Sequence, residues 1–452
     1  MKHPSNLPLA LLIASTTLFG GAAWSASTPA EPASAQSSAS PDPARTDSDR
    51  LSGTPETLQM LLARTMEQDP QLLVARALEA ASGHRRVQAR SRLAPVFNAQ
   101  AAQGRSKETL FDEPVNGATD ESSVGVRWNL FNGGADMAEL RGTTKEAAAA
   151  REDVRRALEE IGERVANAYA ELLRHEQLMP ASRQRLDEAE RLVRQVQRAT
   201  ELGKLAPSDG NQARAALLDA QVAHGQLLAD LRSARDRLTI LTGVTLRPLA
   251  PVELPGAFLA PDAQAGEAAL LTAARLRAQA SSARVLPWVS TVAPRIDLDY
   301  NQQLHNKTRP VTDAKQEHGW LLTARWDLPL GGENQARRAE YIARAEAAKA
   351  EADRVERTLQ SELATLPPRI ANSRSAIVQL DEQIEQYDQL VRAGDLQYQA
   401  GKRSLIQLVQ LLDSRYVAQQ RRAEEGYKLL TAELRYLALR GDFLPALGLA
   451  KN

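Results

Sequence analysis

Apolar residues recur along this chain at two different periods, in separate stretches. One period is two. Val124, Val126, Trp128 and Leu130 alternate with Ser123, Gly125, Arg127 and Asn129. Ile296, Leu298 and Tyr300 alternate with Asp297, Asp299 and Asn301, and Trp320, Leu322, Ala324, Trp326 and Leu328 form a further apolar file. Period two predicts strands with one apolar and one polar face. They are expected near 96–104, 122–131, 295–304 and 319–328, with polar loops at 105–121 and 305–318. Each strand is about ten residues, the length of a tilted transmembrane β-strand.

The other period is that of the heptad. Leu227, Leu231, Ala234, Leu238 and Leu241 step four, three, four, three, and Leu380, Ile384, Tyr387 and Val391 step four, three, four. Such files predict coiled-coil seams. The helical pattern runs from Gly134 to Leu202 and again from Gly332 to Gln399. Each stretch would be about 100 Å long at 1.5 Å per residue. Pro180 and Pro367-Pro368 fall inside these helices and are expected to break or kink them locally.

The chain repeats itself. Trp128-Asn129-Leu130 followed by Gly133-Gly134 matches Trp326-Asp327-Leu328 followed by Gly331-Gly332, 198 residues on. Gly203-Lys204 matches Gly401-Lys402 and Gly243 matches Gly441 at the same offset. A shared offset for three landmarks predicts a duplicated unit. Repeat 1 is placed at 51–246 and repeat 2 at 262–442. A Pro-rich linker lies at 247–261 and a tail at 443–452. Each repeat reads helix, two strands, very long helix, tight turn, helix.

Composition changes the picture at three points. Length alone would suggest about three domains, but aromatics are only 4%, which is thin for compact cores. The 56 basic and 56 acidic residues balance, which argues against a nucleic-acid partner held by a broad basic surface. The absence of cysteine excludes disulfides, thiolate metal sites and thiol nucleophiles. Residues 1–25 combine Lys2 and His3, an apolar run from Leu7 to Phe19 and small residues around Ala23-Trp24-Ser25, the pattern of a signal peptide. Residues 26–50 are poor in large apolar side chains and read as a disordered linker. The structured part is expected to begin near Thr54-Pro55-Glu56. The six histidines show no metal-ligand spacing and no phosphate-cradling loop occurs, so neither enzyme chemistry nor a cofactor is expected. The sequon Asn306-Lys307-Thr308 reads as chance.

Four strands of membrane length cannot close a barrel, since the smallest barrels have about eight and an open edge is not tolerated in lipid. Oligomerisation must complete the sheet. Two copies would give eight strands, a barrel filled by its own side chains; three would give twelve, with room for a channel.

Over residues 54 to 448 the chain resembles the TolC-type outer-membrane channels of Gram-negative bacteria. The likeness rests on the duplication, on Trp128-Asn-Leu-Phe-Asn-Gly-Gly, on Tyr398-Gln-Ala-Gly401-Lys-Arg-Ser-Leu-Ile, and on the run from Tyr427 to Gly441. It implies a mainly α fold with a small β part. A homotrimer would form a 12-stranded outer-membrane β-barrel on a periplasmic α-helical tunnel, a passive conduit that does no chemistry. The implied partners are outer-membrane lipid, a periplasmic membrane-fusion adaptor and an inner-membrane transporter, either an ABC transporter or a proton-driven efflux pump. The resemblance places the helix–helix turns at the periplasmic tip, so adaptor docking is expected at Gly203, Lys204, Leu205, Gly401, Lys402, Ser404 and Leu405. It implies a gate formed by Asp209, Tyr398 and Arg403. Where some members carry two ring aspartates, this chain has Gln407 and Gln410, so weaker cation selectivity is expected. The segment Leu434–Gly448 is similar to members that export large adhesins, which favours type I secretion over multidrug efflux. From a different class, a periplasmic coiled-coil scaffold or adaptor would share the helices but would not need the four strands.

Overall fold

The alternating stretches pair into one antiparallel sheet. Its strands are β1 (Val96–Leu110), β2 (Glu113–Asn132), β3 (Arg295–Asn306) and β4 (His318–Arg325), in that order. The computed structural model describes residues 56–110, 113–203, 205–252, 254, 268–306 and 318–449, the side chains of 106–110, 113–119 and 306 excepted. The expected signal peptide, the linker at 26–50, most of the inter-repeat linker, Lys204, Lys307 and Thr308 of the sequon, and the end of the tail lie outside them. The described residues fall in one compact unit, Gly53–Asn452.

The register sets the faces. Phe97 lies opposite Val126, Val126 opposite Tyr300, and Tyr300 opposite Trp320. Trp128, Leu298 and Leu322 form the next apolar row. On the other face Arg127 opposes Asp299, with Nε donating to the carboxylate at 2.8 Å. The apolar face is open: Phe97 is 69% exposed and Trp320 74%.

The first hairpin departs from expectation. The described residues of 105–121 are not a loop: 105–110 and 113–121 are strand, and β1 and β2 stay paired up to Leu110 opposite Glu113. Alternation marks where one face is buried or meets lipid, whereas ladder hydrogen bonds form equally between polar residues. β4 stops at Arg325, short of 328, because Arg325 lies opposite Arg295, the first residue of β3. The loop between β3 and β4 lies mostly outside the described residues.

The helices are α1 (Leu58–Gln68), α2 (Pro70–Ser91), α3 (Ala135–Glu201), α4 (Pro207–Thr242), α5 (Ala269–Ala283), α6 (Glu333–Gln399), α7 (Leu405–Arg440) and α8 (Phe443–Ala446). α3 and α6 each have 67 residues and α4 and α7 each have 36. Their bounds stand 198 residues apart, the offset of the sequence landmarks. Gly134 and Gly332, at φ 84° and 78°, turn the chain from strand into the two long helices, a conformation that carries no Cβ penalty for glycine.

The expected breaks do not occur. α3 runs through Pro180 and α6 through Pro367 and Pro368. All three prolines are on exposed faces, away from the packed seam. Leu366 and Ile370 keep the buried seam continuous on either side. Of the heptad files, Leu227, Ala234, Leu238 and Val391 are buried, and Leu231, Leu241, Leu380, Ile384 and Tyr387 are half-buried.

The largest core lies where α1, α3, α4, α7 and α8 meet. Leu61, Leu62, Tyr169, Leu172, Leu238, Leu434, Leu437 and Phe443 are its main members. Gly162 is required there, because a Cβ would fall 2.3 Å from Phe443 Cε1. The Tyr169 hydroxyl lies 2.9 Å from the Glu56 carbonyl and 2.5 Å from that of Ala250. It thereby pins the segment after α4 to the start of the described chain.

Candidate functional site

The ends of the two long helices build the site. α6 finishes in a Schellman turn: Gly401 takes φ 70°, Lys402 N–H donates to the Gln397 carbonyl at 2.8 Å and Gly401 N–H to that of Tyr398 at 2.9 Å. α7 then starts from Ser404, which forms a reciprocal capping box with Gln407. The Gln407 side-chain oxygen accepts from Ser404 N–H at 3.3 Å. The other turn is built alike: Gly203 has φ 68°, its N–H donates to Thr200 at 2.9 Å, and Pro207 opens α4. An apolar cluster of Leu192, Val196, Ala213, Leu405 and Leu408 joins both turns, with Leu205 and Tyr398 packed against it.

This cluster brings Asp209 and Tyr398 together. Asp209 is half-buried in the first turn of α4, where the helix dipole favours its charge. Tyr398 is half-buried at the end of α6, and burial, followed by the nearby Asp209 charge, pushes its hydroxyl above the ordinary tyrosine range. Arg403 does not complete the triad. Among the described residues no ion pair joins it to Asp209. Its guanidinium lies over α6 instead, where a Cβ on Gly394 would fall 2.7 Å from Nη1 and 3.0 Å from Leu411 Cδ1. Gly394 is a site residue that sequence reasoning missed; its one signal is a glycine inside a strong helical pattern.

The remaining residues named from the sequence separate by exposure. Gly203, Gly401, Lys402 and Ser404 are exposed and Leu205 is half-buried. Leu405 is only 4% exposed and belongs to the apolar cluster, so it holds the tip together and cannot offer its side chain to a partner. Lys204 lies outside the described residues. Gln407 and Gln410 are exposed on α7.

Beyond the tip, an ionic band ties three long helices. Arg185 of α3 donates to Asp413 of α7 at 2.8 Å and stacks 4.9 Å from the Tyr416 ring centre. Arg415 of α7 is buried and pairs with Glu188 of α3 and, at 3.4 Å, with Asp388 of α6. The signal for Arg415 was present: it continues the file Leu405, Leu408, Leu412, so a charge occupies a seam position. Among the described residues no cluster of three potential metal ligands forms, and no helix is long and apolar enough to cross a membrane. The surface suited to lipid is the open apolar face of the sheet.

A sheet of this kind on paired helices of about 100 Å defines the protomer of an outer-membrane channel. The chain belongs to the outer membrane efflux protein family, which it matches over residues 61–244 and 260–441. A comparison with curated proteins gives no match. Among solved structures it is similar to the Campylobacter jejuni CmeC outer membrane channel, at 13% identity and a TM-score of 0.74, covering 85% of this chain and 86% of that one. The outer membrane protein VceC from Vibrio cholerae is 19% identical with a TM-score of 0.73, covering 87% and 97%. A membrane protein from Pseudomonas aeruginosa is 16% identical with a TM-score of 0.76, covering 87% and 90%. At these identities the likeness to the solved structures is one of fold. The family assignment makes this an outer-membrane efflux channel with a large periplasmic helical part, and not an enzyme.

Proposed function

We propose that three copies close their sheets into a twelve-stranded barrel, and that the chain is the passive exit duct of a tripartite export system. The open sheet carries this reading: four strands, with β1 and β4 at the edges and an exposed apolar face, are viable in lipid only once closed. The exposed turns around Gly203 and Gly401 would receive a periplasmic adaptor, which couples the duct to an inner-membrane ABC transporter or proton-driven pump. Asp209, Tyr398 and Arg403 would hold the tip shut once Arg403 leaves Gly394.

Two cargoes are compatible with such a duct. Type I secretion of a large, adhesin-like protein was favoured by the segment from Leu434 to Gly448. That segment supplies Leu434, Leu437, Phe443 and Leu447 to the core, so packing accounts for its character. The second reading is efflux of small toxic compounds, with which the description of the family as outer membrane efflux proteins is in keeping. Deleting the gene separates them. Loss of one large protein from the secreted proteome, with drug tolerance unchanged, supports type I secretion. Lowered drug tolerance with an unchanged secretome supports efflux, and no change in either sinks the export reading.

A further inference from the structure

The end of α2 that meets the sheet carries a charge pattern that the duct does not use. Residues 84–92 read His-Arg-Arg-Val-Gln-Ala-Arg-Ser-Arg. Arg85, Arg86, Arg90 and Arg92 are all exposed. Among the described residues none of the four has a carboxylate within ion-pair distance. The acids nearby are already held. Glu79 of α2 lies 3.5 Å from Arg151. On α3, Glu139 and Glu146 are bound by Arg284 at 2.8 and 2.6 Å, and Asp136 accepts from Asn129 and Asn132 at 2.8 and 2.7 Å.

The position of this patch is fixed against the sheet. α2 ends at Ser91 and β1 begins at Val96. Trp128, on the apolar face, donates its indole N–H to the Leu93 carbonyl at 2.9 Å. Tryptophan on a membrane-facing strand favours the headgroup level, so the link carrying Arg92 is tied to that level. Arg90 is two residues further down, and Arg86 and Arg85 stand roughly 7 to 9 Å of helix rise below Ser91. At the 198-residue offset the second repeat has Trp288 to Val292 where the first has Arg90 to Ala94. There Trp288 is 64% exposed and Val289 58%. One repeat thus presents cations, and the other apolar side chains, at the same end of the sheet.

We propose that Arg85, Arg86, Arg90 and Arg92 form a binding surface for anionic phospholipid headgroups of the periplasmic leaflet of the outer membrane. The proposal rests on the reading of the sheet as membrane-spanning. Guanidinium groups match phosphate oxygens in a bidentate fork. Their long stems let the charge reach up to a headgroup from just outside the lipid. Arg90 and Arg92, nearest the strands, contribute most.

The test uses the full-length purified protein, titrated in detergent with phosphatidylglycerol or phosphatidylcholine. Bound lipids are counted by native mass spectrometry, and insertion is checked in vesicles of an equimolar mixture of the two. The wild type is expected to prefer phosphatidylglycerol, whose headgroup keeps a net negative charge where that of phosphatidylcholine is neutral, by roughly fivefold for each arginine at the headgroup level, and to lose the preference in high salt. Arg90→Gln with Arg92→Gln abolishes most of it. Arg214→Gln with Arg232→Gln, which removes the same charge from α4, leaves it intact. Equal affinity for both lipids in the wild type, or a preference unchanged in the Arg90/Arg92 variant, overturns the proposal. So does dissociation of that variant into single chains, because the arginines would then act between copies. A wild type that inserts into no vesicle overturns the membrane-spanning reading itself.

Discussion

Gly394 decides where Arg403 can rest. A Cβ there would meet Nη1 at 2.7 Å and Leu411 at 3.0 Å, and the flexible guanidinium is the group that yields. Gly394→Ala is therefore expected to cost about 1 kcal/mol of local packing and to free Arg403 for Asp209. In planar bilayers this variant should show a smaller single-channel conductance than the wild type. Asp209→Ala with Arg403→Ser should show a larger one. Unchanged conductance in both would remove these residues from the gate. A second residue, His175, couples the helices to pH. Burial, and then Arg174, hold its imidazole below the ordinary value of 6.5, against the opposing pull of Asp230, Glu171 and Glu424. The folded chain thus binds this proton less readily than the unfolded chain. Its contribution to stability is complete above about pH 6.5 and is lost as pH falls from there toward the depressed value. Melting temperatures measured from pH 7 down to 5 should fall less steeply for His175→Gln than for the wild type; equal slopes would clear His175 of the effect.

At the scale of elements, several ion pairs join the long helices, and among the described residues Arg415 and Glu188 make the one between them in which both side chains are buried. Arg415 and Glu188 have side chains only 5% and 11% exposed, whereas Asp388, the other partner of Arg415, is 42% exposed. Removing the buried partner strands a buried cation, so Glu188→Ala should cost about 3–5 kcal/mol. Asp388→Ala should cost less than about 1 kcal/mol, because solvent screens that contact. Urea denaturation of the two variants measures the difference, and equal losses would show that α3 and α7 are not held by this pair. How far such elements can be read from sequence depends on which force shapes them. Val124 to Leu130 announced a strand because one face meets an apolar medium. The paired stretches 104–110 and 113–119 did not, because they show no such alternation while ladder hydrogen bonds form between any residues. Leu227 to Leu241 announced a seam, but Pro180 was expected to break or kink its helix, since sequence does not reveal that it lies on an exposed face. The turns at Gly203 and Gly401 followed from glycine spacing; Asp209 and Tyr398 were named together only through the resemblance to the TolC-type channels. The lie of Arg403 over Gly394, the burial of Leu405 and the band around Arg415 depend on which helix packs where, and heptad spacing leaves that open.

For the whole molecule, the sheet and the tip place complementary demands on assembly. Four strands with two unpaired edges call for further copies to close the barrel, and closing it around an axis gathers the equivalent ends of α7 into a ring. On the closure proposed above, Gln407 and Gln410 would recur once per copy around the pore mouth. Both are exposed, but Gln407 is engaged by the Ser404 cap and Gln410 is not part of it. An amide ring has dipoles but no net charge, so it should discriminate poorly between cations and anions and bind a trivalent cation weakly. Gln410→Asp places one carboxylate per copy at that level without touching the cap. In planar bilayers under a potassium chloride gradient, its reversal potential should move toward that of potassium. A trivalent cation should block it at lower concentration than the wild type. Charges gathered on one axis repel and hold counterions more strongly than the same charges dispersed on an outer surface, so both effects require α7 to face the pore. If reversal potential and block stay at wild-type values, Gln410 lies outside the conduction path, and the ring must be sought on another face of α7.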